Sequence, residues 1–129
     1  MIFVDSSVWI DVFNKVKSLE AQKLLKITST LDILVGDLVM YEVLRGARDD
    51  LHARRLEKDL RCFRIEPILS PAIAQKAAEN YRKLRSLGIT IRKDSDILIG
   101  TFCIENGHIL MHKDRDFLPM VQHLDLEDY

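Results

Sequence analysis

The chain has 129 residues, 47% of them hydrophobic and 30% charged, with a formal net charge of −1. That length and balance fit one soluble domain spanning 1–129 with a single sizeable core, and the chain shows no linker, repeat or low-complexity tract. No stretch reaches the roughly 20 apolar residues a bilayer span requires, and the opening MIFVDSSVWID lacks the basic leader of a signal peptide.

In chain order, Ile2-Phe3-Val4 is short and wholly apolar, as in a buried central strand. Helical patterning follows over Ser7–Phe13 and from about Leu19 to Thr28. Ile33-Leu34-Val35 predicts a second strand closed by Gly36, after which Asp37 is placed to cap a helix that stops at Gly46. A further helix covers Asp50 to Leu60, and Phe63–Ile68 predicts a third strand cut short by Pro67. Ser70-Pro71 is a strong helix start, and the apolar spacing of Ile73, Ala77, Tyr81 and Leu84 carries that helix to Gly88. Asp94 or Ser95 caps the next helix, which ends at Gly107. Ile109-Leu110-Met111 is a fourth strand and Val121–Leu124 a short fifth. Apolar runs alternating with helical segments predict an α/β fold: a three-layer α/β/α sandwich around a central, mainly parallel sheet.

Cys62 and Cys103 have no CxxC spacing and read as reduced, core-type residues of a cytoplasmic protein. His108 and His112 fall at the two ends of a strand, too far apart to share a zinc ion. There is no glycine-rich phosphate loop. The near-neutral total conceals a basic stretch: Lys76 to Lys93 holds six basic residues and one acid. Such a run is either a solvated helix face or a surface for phosphates.

Five acids stand where predicted strands end or helices begin: Asp5, Glu42, Asp96, Asp114 and Asp116. Each has an ordinary alternative, as helix cap, dipole partner, solvent-facing glutamate or turn acid. Open parallel sheets, however, bind ligands at the carboxyl ends of their strands. If the first and fourth strands are neighbours, all five converge. Clustered carboxylates repel unless a cation joins them, and an all-oxygen set without a Cys–His cluster suits Mg²⁺, or Mn²⁺, better than Zn²⁺. Such an ion lowers the pKa of bound water and neutralises a scissile phosphate, which points to phosphodiester hydrolysis.

Val4-Asp5-Ser6-Ser7-Val8-Trp9-Ile10-Asp11, Tyr41-Glu42-Val43-Leu44-Arg45-Gly46, Asp96-Ile97-Leu98-Ile99-Gly100 and Lys113-Asp114-Arg115-Asp116-Phe117 together resemble the PIN-domain ribonucleases, nearest the VapC-type toxins of toxin–antitoxin pairs. The four motifs occur in the family's order and run nearly end to end. The resemblance implies a homodimeric, Mg²⁺-dependent endoribonuclease whose partner antitoxin blocks the site with its tail. It assigns Asp5, Glu42 and Asp96 to the core metal-binding acids, Asp116 to the fourth with Asp114 as second candidate, and Ser6 to contact with water or phosphate. Arg82, Arg85, Arg92 and Lys93 are the basic residues first expected to track RNA. His112 stands where the family usually has Thr or Ser, a departure that puts a hydroxyl contact in doubt. Trp9, Val12, Phe13 and the alanine-rich helix from Ala72 exceed what one small core needs, which accords with dimerisation. Two alternatives share these residues: a catalytically silent RNA- or protein-binding module, and a DNA-directed nuclease. A phosphoacceptor domain would need an aspartate after the third strand, where Pro67-Ile68-Leu69-Ser70 stands instead.

Overall fold

The computed structural model describes residues 1–129. Its centre is a four-stranded, all-parallel sheet formed by β1 (Ile2–Val4), β2 (Ile33–Gly36), β3 (Arg64–Glu66) and β4 (Ile109–Met111), in the order β3-β2-β1-β4. Seven helices surround it: α1 (Ser6–Phe13), α2 (Leu19–Leu25), α3 (Asp37–Arg45), α4 (Asp50–Leu60), α5 (Pro71–Ser86), α6 (Asp94–Asn106) and α7 (Leu118–His123). Contacts link α1 with α2 and α3, and α3 with α4, while α5 runs along α6. The result is the expected α/β/α sandwich.

The inner strands are apolar without alternation because both sheet faces are covered. Phe3, Val4, Leu34, Val35, Leu110 and Met111 are all fully buried, within one core of 26 residues. The β1–β4 register aligns Val4 with Met111, and the Asp5 amide continues that ladder by donating to the Met111 carbonyl at 2.9 Å. The C-terminal edges of the first and last strands therefore end side by side.

Gly36 ends β2 where a Cβ would collide with Phe3 and Ile68, so this position requires glycine for close packing rather than for a turn. Gly100 in α6 would likewise meet Met120. Gly107 closes α6 in the left-handed conformation, φ 67°, where side chains are disfavoured.

Several expectations need correction. Val121–Leu124 is not a strand. Phe117, Met120 and Leu124 are buried at helical spacing, and Leu118-Pro119 starts α7 there. The free edge of β4 is met instead by residues 127–129, through Leu110 N to Glu127 O at 2.8 Å and Tyr129 N to Leu110 O at 2.9 Å. Gly36, not Asp37, holds the cap position of α3. Asp37 is the first helical residue, and its Oδ1 accepts from the Leu38 and Ile68 amides at 2.8 and 3.0 Å. Asp94 similarly lies inside α6, with Lys93 before it in the cap position. Cys103 is buried but Cys62, just past α4, is exposed, because the last turn of α4 faces solvent on that side. Trp9 is only 3% exposed and packs on Phe13 and Phe63, so it serves this chain's own core rather than a second copy.

Candidate active site

Asp5 follows β1 and caps α1. Its Oδ2 accepts from the Ser7 amide at 3.1 Å and from the Ser7 hydroxyl at 2.6 Å. The capping alternative is thus realised, and it fixes the rotamer that brings the carboxylate to the strand edge. Glu42 is half-buried, one turn and a half into α3. Asp96 is buried in the first turn of α6, and Asp114 caps a 3₁₀ turn at Arg115–Phe117 by accepting from the Asp116 amide at 2.9 Å.

Asp5, Glu42, Asp96 and Asp114 line one cleft of about 200 Å³, together with Ser6, Ser7, Ile10, Arg45 and Lys93. Asp116 joins from the side: carboxylate oxygens of Asp96, Asp114 and Asp116 lie within 4.8 Å of one another. The five acids therefore meet. Both fourth-motif candidates reach the cluster: Asp114 lines the cleft, and Asp116 lies within 4.8 Å of Asp96 and Asp114.

The electrostatics show the strain of that meeting. Burial pushes the Asp5 pKa up, against the pull of the Ser7 hydrogen bonds. Burial and then the Asp5 charge raise Glu42, partly offset by Arg45 and Lys93. Asp96 is pushed up to about 7, first by burial and then by the charges of Asp5 and Asp114. Glu42 Oε1 and Asp96 Oδ2 are buried with no hydrogen-bond partner. Orphaned carboxylate oxygens are costly in any folded protein. Here their partner is readily supplied by a hard divalent cation, and the all-oxygen donor set fits Mg²⁺ or Mn²⁺.

Among the basic residues expected at the substrate, Lys93 lines the cleft and lies 3.9 Å from Asp114, and Arg92 lies 3.3 Å from Asp116. Arg82 and Arg85 are exposed on α5; Arg82 borders a separate groove between α5 and α6 with Leu69, Ala78, Tyr81 and Leu98. His112 is not in the cleft wall. Its largely buried side chain packs on Phe117, with Nε2 3.7 Å from Asp128. Sequence reasoning missed Ser7, which holds Asp5, and Arg45, which sits in the quoted Tyr41–Gly46 motif. It also missed the Lys113–Asp11 pair, 2.5 Å apart, which ties the Asp114 loop to α1.

The PIN domain family model matches residues 2–120. The chain belongs to the PIN-domain family. Two curated relatives of this PIN domain are each 29% identical over 119 residues, covering 91% of this chain and 89% of theirs. They are Ribonuclease VapC11 of Mycobacterium tuberculosis and a VapC ribonuclease of Mycobacterium bovis. Among solved structures, FitAcB from Neisseria gonorrhoeae superposes with a TM-score of 0.80 at 17% identity, covering 100% of this chain and 96% of that one. Mycobacterium tuberculosis VapC20, a sarcin-ricin loop cleaving toxin, gives 0.69 at 17% identity, covering 92% and 93%. At these identities the superpositions establish the fold. No helix of this PIN domain is long and apolar enough to cross a membrane.

Proposed function

We propose that this PIN domain is a Mg²⁺-dependent endoribonuclease and the toxin of a toxin–antitoxin pair. One observation carries the reading: acids from four separate stretches of chain share a cleft and leave buried oxygens unpaired, in a fold whose curated relatives are ribonucleases.

Asp5, Glu42, Asp96 and Asp116 would hold the ion, with Asp114 beside them. Bound there, Mg²⁺ activates water for attack and neutralises charge on the scissile phosphate. The chain's own residues supply the positioning. Ser7 donates to Asp5 Oδ2 twice, which aims this carboxylate and offsets part of the pKa rise that burial causes. Ser6, beside Glu42, places a hydroxyl in the cleft wall within reach of water or a phosphate oxygen. Lys93 in the cleft and Arg92 at its edge would meet the RNA backbone, with Arg82 and Arg85 extending that track along α5. Hydrolysis in line would leave a 5′-phosphate and a 3′-hydroxyl.

A cognate antitoxin would cover this cleft. The groove between α5 and α6, lined by Leu69, Ala74, Ala77, Ala78, Tyr81, Ile97 and Leu98, supports homodimerisation. Two unpaired cysteines accord with a reducing cytoplasm.

Incubating the purified protein with single-stranded RNA in Mg²⁺ or EDTA, then sequencing the new 5′ ends, tests the reading. Cleavage is expected only with the metal, and is lost in Asp5→Asn and Asp96→Asn. If both variants cleave at the native rate, the assignment is wrong.

A further inference from the structure

Three cations stand at the cleft, and two lie near carboxylates: Lys93 3.9 Å from Asp114 and Arg92 3.3 Å from Asp116. Arg45 lines the same cleft yet takes part in none of the molecule's salt bridges. Its guanidinium carbon lies 5.5 Å from the ring centroid of Tyr41, four residues earlier on α3, and Tyr41 is 60% exposed. Glu42 lies three residues before Arg45, so one helix face presents a metal-binding carboxylate, a guanidinium and an aromatic ring together.

We infer that Arg45, steadied by Tyr41, is a clamp for an RNA phosphate next to the acidic cluster. The inference rests on the nuclease reading and names how that site holds its substrate. A basic residue in the last turn of α3 also complements the helix dipole, but a lysine would do that equally well. Stacking on a ring and gripping two phosphate oxygens with a planar fork are properties of arginine. With no carboxylate partner to leave, the guanidinium is available to a substrate phosphate, while the exposed Tyr41 offers a stacking face to the neighbouring base.

The test uses the Asp96→Asn protein, which binds without turnover, and a short fluorescein-labelled single-stranded RNA of mixed sequence, followed by anisotropy across a KCl series. Adding Arg45→Ala should weaken binding about tenfold and lower the salt slope by about 0.7, the value of one lost phosphate contact on a single strand. Arg45→Lys keeps the slope and still loses several-fold in affinity, as does Tyr41→Ala, which removes the ring and spares the charge. Arg61→Ala, whose arginine pairs with Glu57 on α4, changes neither quantity. Unchanged affinity and slope in Arg45→Ala, or an equal loss from Arg61→Ala, overturns the clamp while cleavage by the parent protein leaves the nuclease reading standing. A parent that neither binds nor cleaves RNA overturns both.

Discussion

Replacing Asp96 by asparagine should make the metal-free protein more stable, and increasingly so as the pH rises. Asp96 is 4% exposed, and burial beside Asp5 and Asp114 lifts its pKa from 3.8 to about 7. The folded state therefore keeps a proton that the unfolded chain releases between those values. The associated stability is complete below the unfolded pKa and is lost as pH climbs through the folded one. A gap of about three pH units corresponds to about 4 kcal/mol at pH 8. An amide carries no charge to lose, and carboxylate oxygens of Asp114 and Asp116 lie within 4.8 Å of one of Asp96. The advantage of Asp96→Asn should grow by about 3 kcal/mol between pH 5 and pH 8. Urea unfolding in EDTA, followed by the fluorescence of Trp9, the single tryptophan, measures it directly. Saturating Mg²⁺ should stabilise the parent by about 3 kcal/mol at a hundredfold excess over its dissociation constant, and the variant far less. An advantage that stays flat with pH, or a variant less stable at pH 8, refutes the reasoning.

Two further outcomes follow from packing and pairing. Gly36→Ala should destabilise by about 2–3 kcal/mol and more than Gly100→Ala. Its new methyl meets the Phe3 ring and the Ile68 branch in the core, whereas the other collides with the flexible end of Met120 and merely touches Leu126; urea midpoints compare them, and equal costs refute the packing account. Lys113→Ala should cost about 1 kcal/mol near pH 7, a figure reduced because the lysine is 39% exposed. The Lys113 and Ser18 hydrogen bonds hold Asp11 below its ordinary carboxylate range, so that contribution is present above the unfolded pKa and fades as pH falls through the folded one. Parallel unfolding curves at pH 7 and pH 3 check it, and a loss undiminished at pH 3 counts against the pair.

Much of this was legible in the residues, and for identifiable reasons. Strands such as Ile2–Val4 and Ile109–Met111 are buried on both faces and so read as unbroken apolar runs, which places the acids that follow them without ambiguity. Helix signals that depend on one residue were equally readable, as at Ser70-Pro71 and Gly107. What resisted reading depended on contacts between distant segments. Val121–Leu124 is apolar and short, and only its packing through Met120 and Leu124 reveals a helix. The role of Asp37 depends on Ile68, 31 residues away, and no local pattern announces it. In the site, the acids were visible because they interrupt apolar runs. Ser7 and Arg45 sit inside the quoted motifs with no local sign of their roles, which arise only when the fold sets one on Asp5 and the other against Tyr41.

The strand order has a consequence for how such a protein comes into being. β1 lies between β2 and β4, and the last of these is not synthesised until more than 100 residues after the first. A nascent chain lacking β4 and the turn beyond it has neither Asp114 nor Asp116, and its first strand has an open edge. The cleft therefore gains its full set of acids only once β4 has been made and has paired with β1.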